Sequence, residues 1–158
     1  MPNPLYRQPI VKFGIIPAVS LMNTGISSGS RAPCVDQKAW IVAQVLIIDD
    51  QIHSIKMLSL AIKMLGHETL EAVGGEDAVE LVNGSRPDII FLDYMMPGMD
   101  GLKTLERLRS LPDMENLPIY FLTAAKDFYL EERARAAGAR GFIQKPVNLE
   151  DLEGLLAP

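Results

Sequence analysis

Two kinds of apolar pattern alternate along the chain from residue 44 onward. One is the short unbroken run. "QVLIID" at 44–49 and "DIIFLD" at 88–93 are wholly apolar between their ends, as expected of strands covered on both faces. "LPIYFLT" at 117–123 and "RGFIQK" at 140–145 predict two more strands, and the more polar "HETLEAV" at 67–73 suits a strand nearer a sheet edge. The other pattern is a periodic stripe. Ile52, Ile55, Leu58, Ile62 and Leu65 recur at helical steps and stop at Gly66. Helices are likewise predicted over "GGEDAVELVNGSRP" at 74–87, with acids in the first turn and Asn-Gly after the last, and around Leu102, Leu105 and Leu108. Two more follow, over "KDFYLEERARAAGA" at 126–139 and through Leu149, Leu152, Leu155 and Leu156.

Five strand-then-helix units in succession demand a parallel sheet with helices on both faces, because each crossover is right-handed and must cover the sheet. The predicted fold class is α/β: a flavodoxin-like (βα)5 doubly wound parallel sheet with strand order 2-1-3-4-5. In such sheets ligands bind at the carboxyl ends of the strands where strand order reverses, here between the first and third strands.

Composition adds a boundary. Residues 1–40 hold five Pro, three Gly and four Ser, and carry Arg7, Lys12, Arg31 and Lys38 against Asp36, a net of +3. The remainder has 11 basic and 19 acidic residues, a net of −8. The expectation is a disordered N-terminal extension over 1–40 and one folded domain over 41–158. A secretion signal in "FGIIPAVSLM" is disfavoured by Pro17 and by the lack of a small-residue cleavage site after it. The single Cys34 rules out an internal disulfide and fits a reducing cytoplasm. No apolar run approaches the ~20 residues of a membrane span. A net charge of −5 argues against nucleic acid as a partner.

The polar residues at the strand ends carry the chemistry. Asp49 and Asp50 end the first strand and Asp93 ends the third; Thr123 and Lys145 close the fourth and fifth. Two carboxylates about 4 Å apart repel by roughly 4 kcal/mol at an effective dielectric near 20, which a cation, a basic side chain or plain solvation could each offset. Clustered oxygens suit Mg²⁺, which needs only one or two carboxylates beside water and phosphate oxygens. With an ammonium and a hydroxyl opposite, such a site could stabilise the equatorial oxygens of a transferring phosphoryl group, and Asp93, on the central strand, is best placed as its acceptor.

"DD" after strand one, "DYMMPGMDG" after strand three, "LTA" at strand four and "GFIQKP" at strand five together resemble the receiver domain of two-component response regulators, over about residues 43–157. Thr123 lies thirty positions after Asp93 and Lys145 twenty-two after Thr123, spacings that fit that family. The resemblance implies a phosphoacceptor and not an enzyme. Asp93 would take a phosphoryl group from a sensor histidine kinase or a histidine phosphotransfer protein. Mg²⁺ would be held by Asp50, Asp93 and the Met95 carbonyl, with Asp49 acting through water. Lys145 would pair with the phosphoryl oxygens, across a cis bond to Pro146. Thr123 and Phe142 would be the switch pair, Phe142 filling the space Thr123 vacates. A downstream protein target would read residues 126–156. Since the chain ends soon after Leu149, the expectation is a single-domain cytoplasmic regulator that touches neither nucleic acid nor membrane. Apolar Met95 and Ala125 beside the acceptor predict a persistent phosphoryl group.

Three other readings compete. A flavodoxin-type FMN binder would need a Ser/Thr/Gly-rich phosphate loop after the first strand, where the acidic "DDQIHS" would repel the phosphate. A haloacid-dehalogenase-like phosphatase needs an acid two residues after its nucleophile, where this chain has Met95. A degenerate receiver acting only as a binding module would not need all five pocket residues. His53 and His67 are expected to have no chemical role.

Overall fold

The computed structural model describes residues 42–124 and 128–157. The expected N-terminal extension, Cys34 and Ala125 lie outside them. Residues Ala43–Ala157 form one compact unit. Its elements are β1 (Gln44–Asp49), α1 (Ile52–Met64), β2 (Glu68–Val73), α2 (Gly75–Gly84) and β3 (Ile89–Asp93). After these come α3 (Gly101–Arg109), β4 (Ile119–Thr123), α4 (Phe128–Ala136), β5 (Gly141–Gln144) and α5 (Leu149–Leu156). The five strands are parallel in the order β2-β1-β3-β4-β5, as the alternation predicted.

The continuous apolar runs go to the centre. β1 and β3 are neighbours, with Val45 opposite Ile89 and Ile48 opposite Leu92, and side chains alternate between two cores. Leu46, Ile48, Ile90 and Leu92 face α2 and α3 residues such as Val82 and Leu105; Val45, Ile47, Ile89 and Phe91 face α1 and α5 residues such as Ile55 and Leu152. Polar β2 takes the edge, as its composition suggested.

Three details depart from the sequence pattern. Ile52 opens the helical stripe but is 60% exposed, since it occupies the first position of α1, before the helix has rotated onto the sheet. Leu149 likewise stands outside the core at the start of α5. Asn83 and Gly84 form the last turn of α2 instead of following it, and Ser85 caps the helix in an extended conformation.

One basic side chain fastens the end of the sheet opposite the candidate site. The Arg109 guanidinium donates to the carbonyls of Met114, Leu117 and Gly138, tying the loop after α3 to the turn after α4. Burial lowers its pKa.

Candidate functional site

β1 ends on Asp49 and β3 on Asp93, and the pleat that buries their apolar neighbours buries these carboxylates too, at 1% and 5% exposure. Asp50, one residue beyond the strand, is half-buried. Asp49, Asp50 and Asp93 each present an oxygen within 4.8 Å of the others. From the end of β5, Lys145 reaches across the pocket. Its Nζ donates to Asp49 Oδ2 at 2.8 Å and contacts Asp93 Oδ1 at 2.9 Å.

These contacts explain how adjacent acids survive in an apolar setting. The sequence alone pointed to a divalent cation; the structure shows that the protein supplies compensation of its own. Asp49 accepts from Lys145 on one oxygen and from the Gln51 backbone N–H at 2.8 Å on the other. Asp50 Oδ1 is different: it is buried and has no hydrogen-bond partner among the described residues. A buried, unpartnered carboxylate oxygen beside two more carboxylates is a donor set that fits a hard cation.

The electrostatics follow from this packing. Burial raises the Asp93 pKa, and Asp49 and Asp50 push it further the same way, against the opposing pull of Lys145. For Lys145, burial works to lower the pKa, but the hydrogen bonds and charges of Asp49 and Asp93 outweigh it and hold the ammonium above its ordinary value. The pocket is therefore a carboxylate reluctant to be charged, beside an ammonium that stays charged.

Thr123 ends β4 and is buried; its carbonyl accepts from the Lys145 N–H at 2.8 Å, so the fourth and fifth strand ends are locked together next to the acids. The Lys145–Pro146 peptide is cis, as the resemblance implied. Met95 lies in the loop after β3 with its side chain 72% exposed. Phe142 is half-buried and stacks on Phe121 with ring centroids 5.8 Å apart, and the Arg135 guanidinium lies over the Phe142 ring, 5.7 Å from its centre. Asp49, Asp50, Asp93 and Lys145 are thus brought together, with Thr123 joined to Lys145 through the backbone and Phe142 stacked on Phe121.

Two further residues shape the site. Gly101 starts α3 so close to β3 that an added Cβ would sit 2.5 Å from the Asp93 carbonyl and 2.8 Å from Tyr94 Cα. The Gly101 N–H donates to the Tyr94 carbonyl at 3.1 Å, and Asp100 caps α3 by accepting from the Lys103 N–H at 2.8 Å. The signal was present in "MDG", an N-cap acid followed by glycine, but only the packing reveals that the glycine lets β3 and α3 touch. His53 is exposed on α1, as expected. His67 departs from expectation: its Nδ1 accepts from the Ala43 N–H at 3.2 Å.

Among the described residues no helix is long and apolar enough to cross a membrane. Residues 45–157 match the response regulator receiver domain family. Over 130 residues the chain is 34% identical to the cyclic di-GMP phosphodiesterase response regulator RpfG of Xanthomonas campestris, an alignment covering 81% of this chain and 34% of that protein. The chain thus spans about a third of that relative's length. It is 32% identical over 114 residues to the probable chemotaxis protein CheY of Rhizobium etli, covering 72% of this chain and 88% of that protein. Of solved structures, chemotaxis protein CheY4 of Vibrio cholerae superposes with a TM-score of 0.70 at 31% identity, over 73% of this chain and 96% of that one. With the strand order, the acids at the switch point and these relatives in agreement, the chain belongs to the response regulator receiver domain family.

Proposed function

We propose that the chain is a phosphoacceptor in which Asp93 takes a phosphoryl group from a phosphohistidine on a sensor histidine kinase or histidine phosphotransfer protein. The observation that carries this reading is the Lys145 ammonium bridging Asp49 and Asp93 beside an unpartnered Asp50 oxygen. In the transfer, an Asp93 carboxylate oxygen forms the new O–P bond. The P–N bond to the donor imidazole breaks, and its electron pair stays on the nitrogen, which takes up a proton. Burial favours this step, because a carboxylate that gains little from ionisation loses little when its oxygen is phosphorylated.

Lys145 holds the phosphoryl group. Its ammonium has three donors and two are engaged by Asp49 and Asp93, which leaves one for a phosphoryl oxygen. Asp50, Asp93 and the Met95 carbonyl would hold Mg²⁺, with Asp49 acting through water. Bound Mg²⁺ supplies positive charge where the equatorial oxygens become more negative. Thr123 would then turn its hydroxyl to the phosphoryl group, and Phe142 would swing off Phe121 into the space released. That is a population shift between two packings, biased by new charge at Asp93.

The output we assign is protein contact through α4, β5 and α5, the described part of residues 126–156. Phe128 and Tyr129 expose their rings on α4, an apolar surface suited to a partner. A cleft of about 720 Å³ lies between β5 and α5, with Phe142 and Lys145 both in its wall, so a change at the pocket reaches the surface through the residues that line it.

Acetyl phosphate with Mg²⁺ tests the chemistry, read by intact mass. Wild type should gain one phosphoryl group and Asp93→Asn none; a gain in both or in neither overturns the assignment. The positions two residues after Asp93 and Thr123 hold apolar Met95 and Ala125, residue types that offer no acid or amide to orient water, so the phosphoryl group should persist. Release of phosphate as fast as in rapidly cycling receivers would contradict that.

A further inference from the structure

The start of β1 is held in an unusual way. The register pairs Gln44 with Glu68, which puts Ala43 opposite His67. The Ala43 carbonyl accepts from the Glu68 N–H at 2.9 Å, an ordinary ladder bond. Its N–H would normally go to the next carbonyl back along β2, that of Gly66. There the chain is turning out of α1 with φ at 87°, and the His67 imidazole takes the carbonyl's place, Nδ1 accepting from the Ala43 N–H at 3.2 Å. On the other side of β1 the Gln44 N–H is also accepted by a side chain, Asp88 Oδ2 at 2.7 Å, while the Gln44 carbonyl accepts from the Asp88 N–H at 2.8 Å. The Ala43 and Gln44 N–H groups, at the entry to β1, therefore rest on side chains that accept only when deprotonated at the contacting atom.

We propose that His67 is a proton-released latch on the start of β1: protonation of Nδ1 turns an acceptor into a donor facing the Ala43 N–H, and the strand's first residue detaches from β2. Gln44 is held separately, by the side chain and the N–H of Asp88, so the opening stops at one residue. The charged groups at this corner are Lys63 at the end of α1, Glu68 next along β2 and Asp88 beside β1. Burial, and none of these charges, lowers the imidazole below its ordinary value. A histidine held low is neutral in the folded chain, so its contact is complete above the ordinary value of 6.5 and is lost as pH falls through the lowered one. The latch sits at the amino end of β1, the opposite end from Asp49, and so acts without touching the acceptor pocket. Acidification of the compartment over the histidine range is the signal it fits.

Amide exchange of the full chain, followed by NMR and corrected for the intrinsic pH dependence of exchange, tests the latch. In wild type the protection of Ala43 should fall about tenfold per pH unit below the His67 pKa between about pH 7.5 and about pH 5, while Gln44 stays protected. His67→Asn keeps a non-titrating acceptor near the Nδ1 position and should give protection independent of pH. His67→Ala should leave Ala43 unprotected throughout. Phosphoryl acceptance at neutral pH should be unchanged in both variants. The latch is refuted if wild-type Ala43 protection stays constant while His67 titrates. An identical fall in His67→Asn, or parallel loss at Gln44, also refutes it by pointing to general acid loosening.

Discussion

Replacing Lys145 with Met separates the charge that holds the pocket together from the carbon chain that fills it. In wild type the ammonium contacts Asp49 and Asp93 at 2.8 and 2.9 Å, and the side chain is only 26% exposed. Met keeps most of the volume and removes the charge. The variant must fold with acids whose oxygens lie within 4.8 Å of one another and no cation among the described side chains to offset them. At that separation and an effective dielectric near 20, one pair of like charges repels by about 3.5 kcal/mol. Removing one partner from a buried ion pair costs about 3–5 kcal/mol in general, and the partial exposure of Lys145 places this case at the lower end. The expected loss is about 3 kcal/mol at neutral pH, measured by urea unfolding without Mg²⁺. The pH profile carries a signature. Burial holds the Asp93 pKa above its ordinary 3.8, so its ionisation costs stability as pH rises from that value through the folded one. Lys145→Met extends this window upward, and acidification below neutrality should recover stability in the variant more than in wild type. Lys145 itself, with its pKa raised, contributes fully below 10.5 and loses its contribution as pH rises through the folded value; the variant lacks that alkaline loss. Saturating Mg²⁺ should narrow the gap between the two proteins. A loss under about 1 kcal/mol, or a gap indifferent to pH and Mg²⁺, would refute the reasoning.

Asp93→Asn removes a carboxylate whose charged form the fold disfavours, and should raise stability at neutral pH by on the order of 1 kcal/mol in urea unfolding while abolishing phosphoryl acceptance. Gly101→Ala drives a methyl group into the Asp93 carbonyl and Tyr94 Cα; the expected cost is about 2–3 kcal/mol, with slower phosphorylation because the acceptor strand moves. Mg²⁺ at a hundred times its dissociation constant should stabilise wild type by about 2.7 kcal/mol, and Asp50→Asn should remove most of that gain in a thermal-shift titration. Arg109→Met leaves the Leu117 and Gly138 carbonyls without their donor and should lower the unfolding free energy by about 2 kcal/mol, with phosphoryl acceptance unchanged.

The order of elements was legible because each strand run had to be buried on both faces and each helix stripe on one. That periodicity fixes the alternation, and right-handed crossovers require helices on both faces of a parallel sheet, as in the observed order β2-β1-β3-β4-β5. Asp49, Asp50, Asp93, Thr123 and Lys145 were legible for the same reason, since the topology carries every strand end to one edge. The boundaries of α1 and α2 were less so: exposure of Ile52 and the capping role of Ser85 depend on how a helix is rotated against the sheet, which residue spacing does not encode.

Residue order was enough to name the groups that meet, whereas the contacts each of them makes arise only on folding. Nothing in "QVLIIDD" says that Asp49 is saturated by Lys145 and the Gln51 N–H while one oxygen of Asp50 has no partner. Nor does "HETLEAV" say that His67 stands in for a backbone carbonyl. Apolar periodicity is local and repeats every two or four residues. The partner of a polar atom is chosen by strands that are dozens of residues apart in the chain, and by distances of a few ångströms that exist only once the sheet has closed.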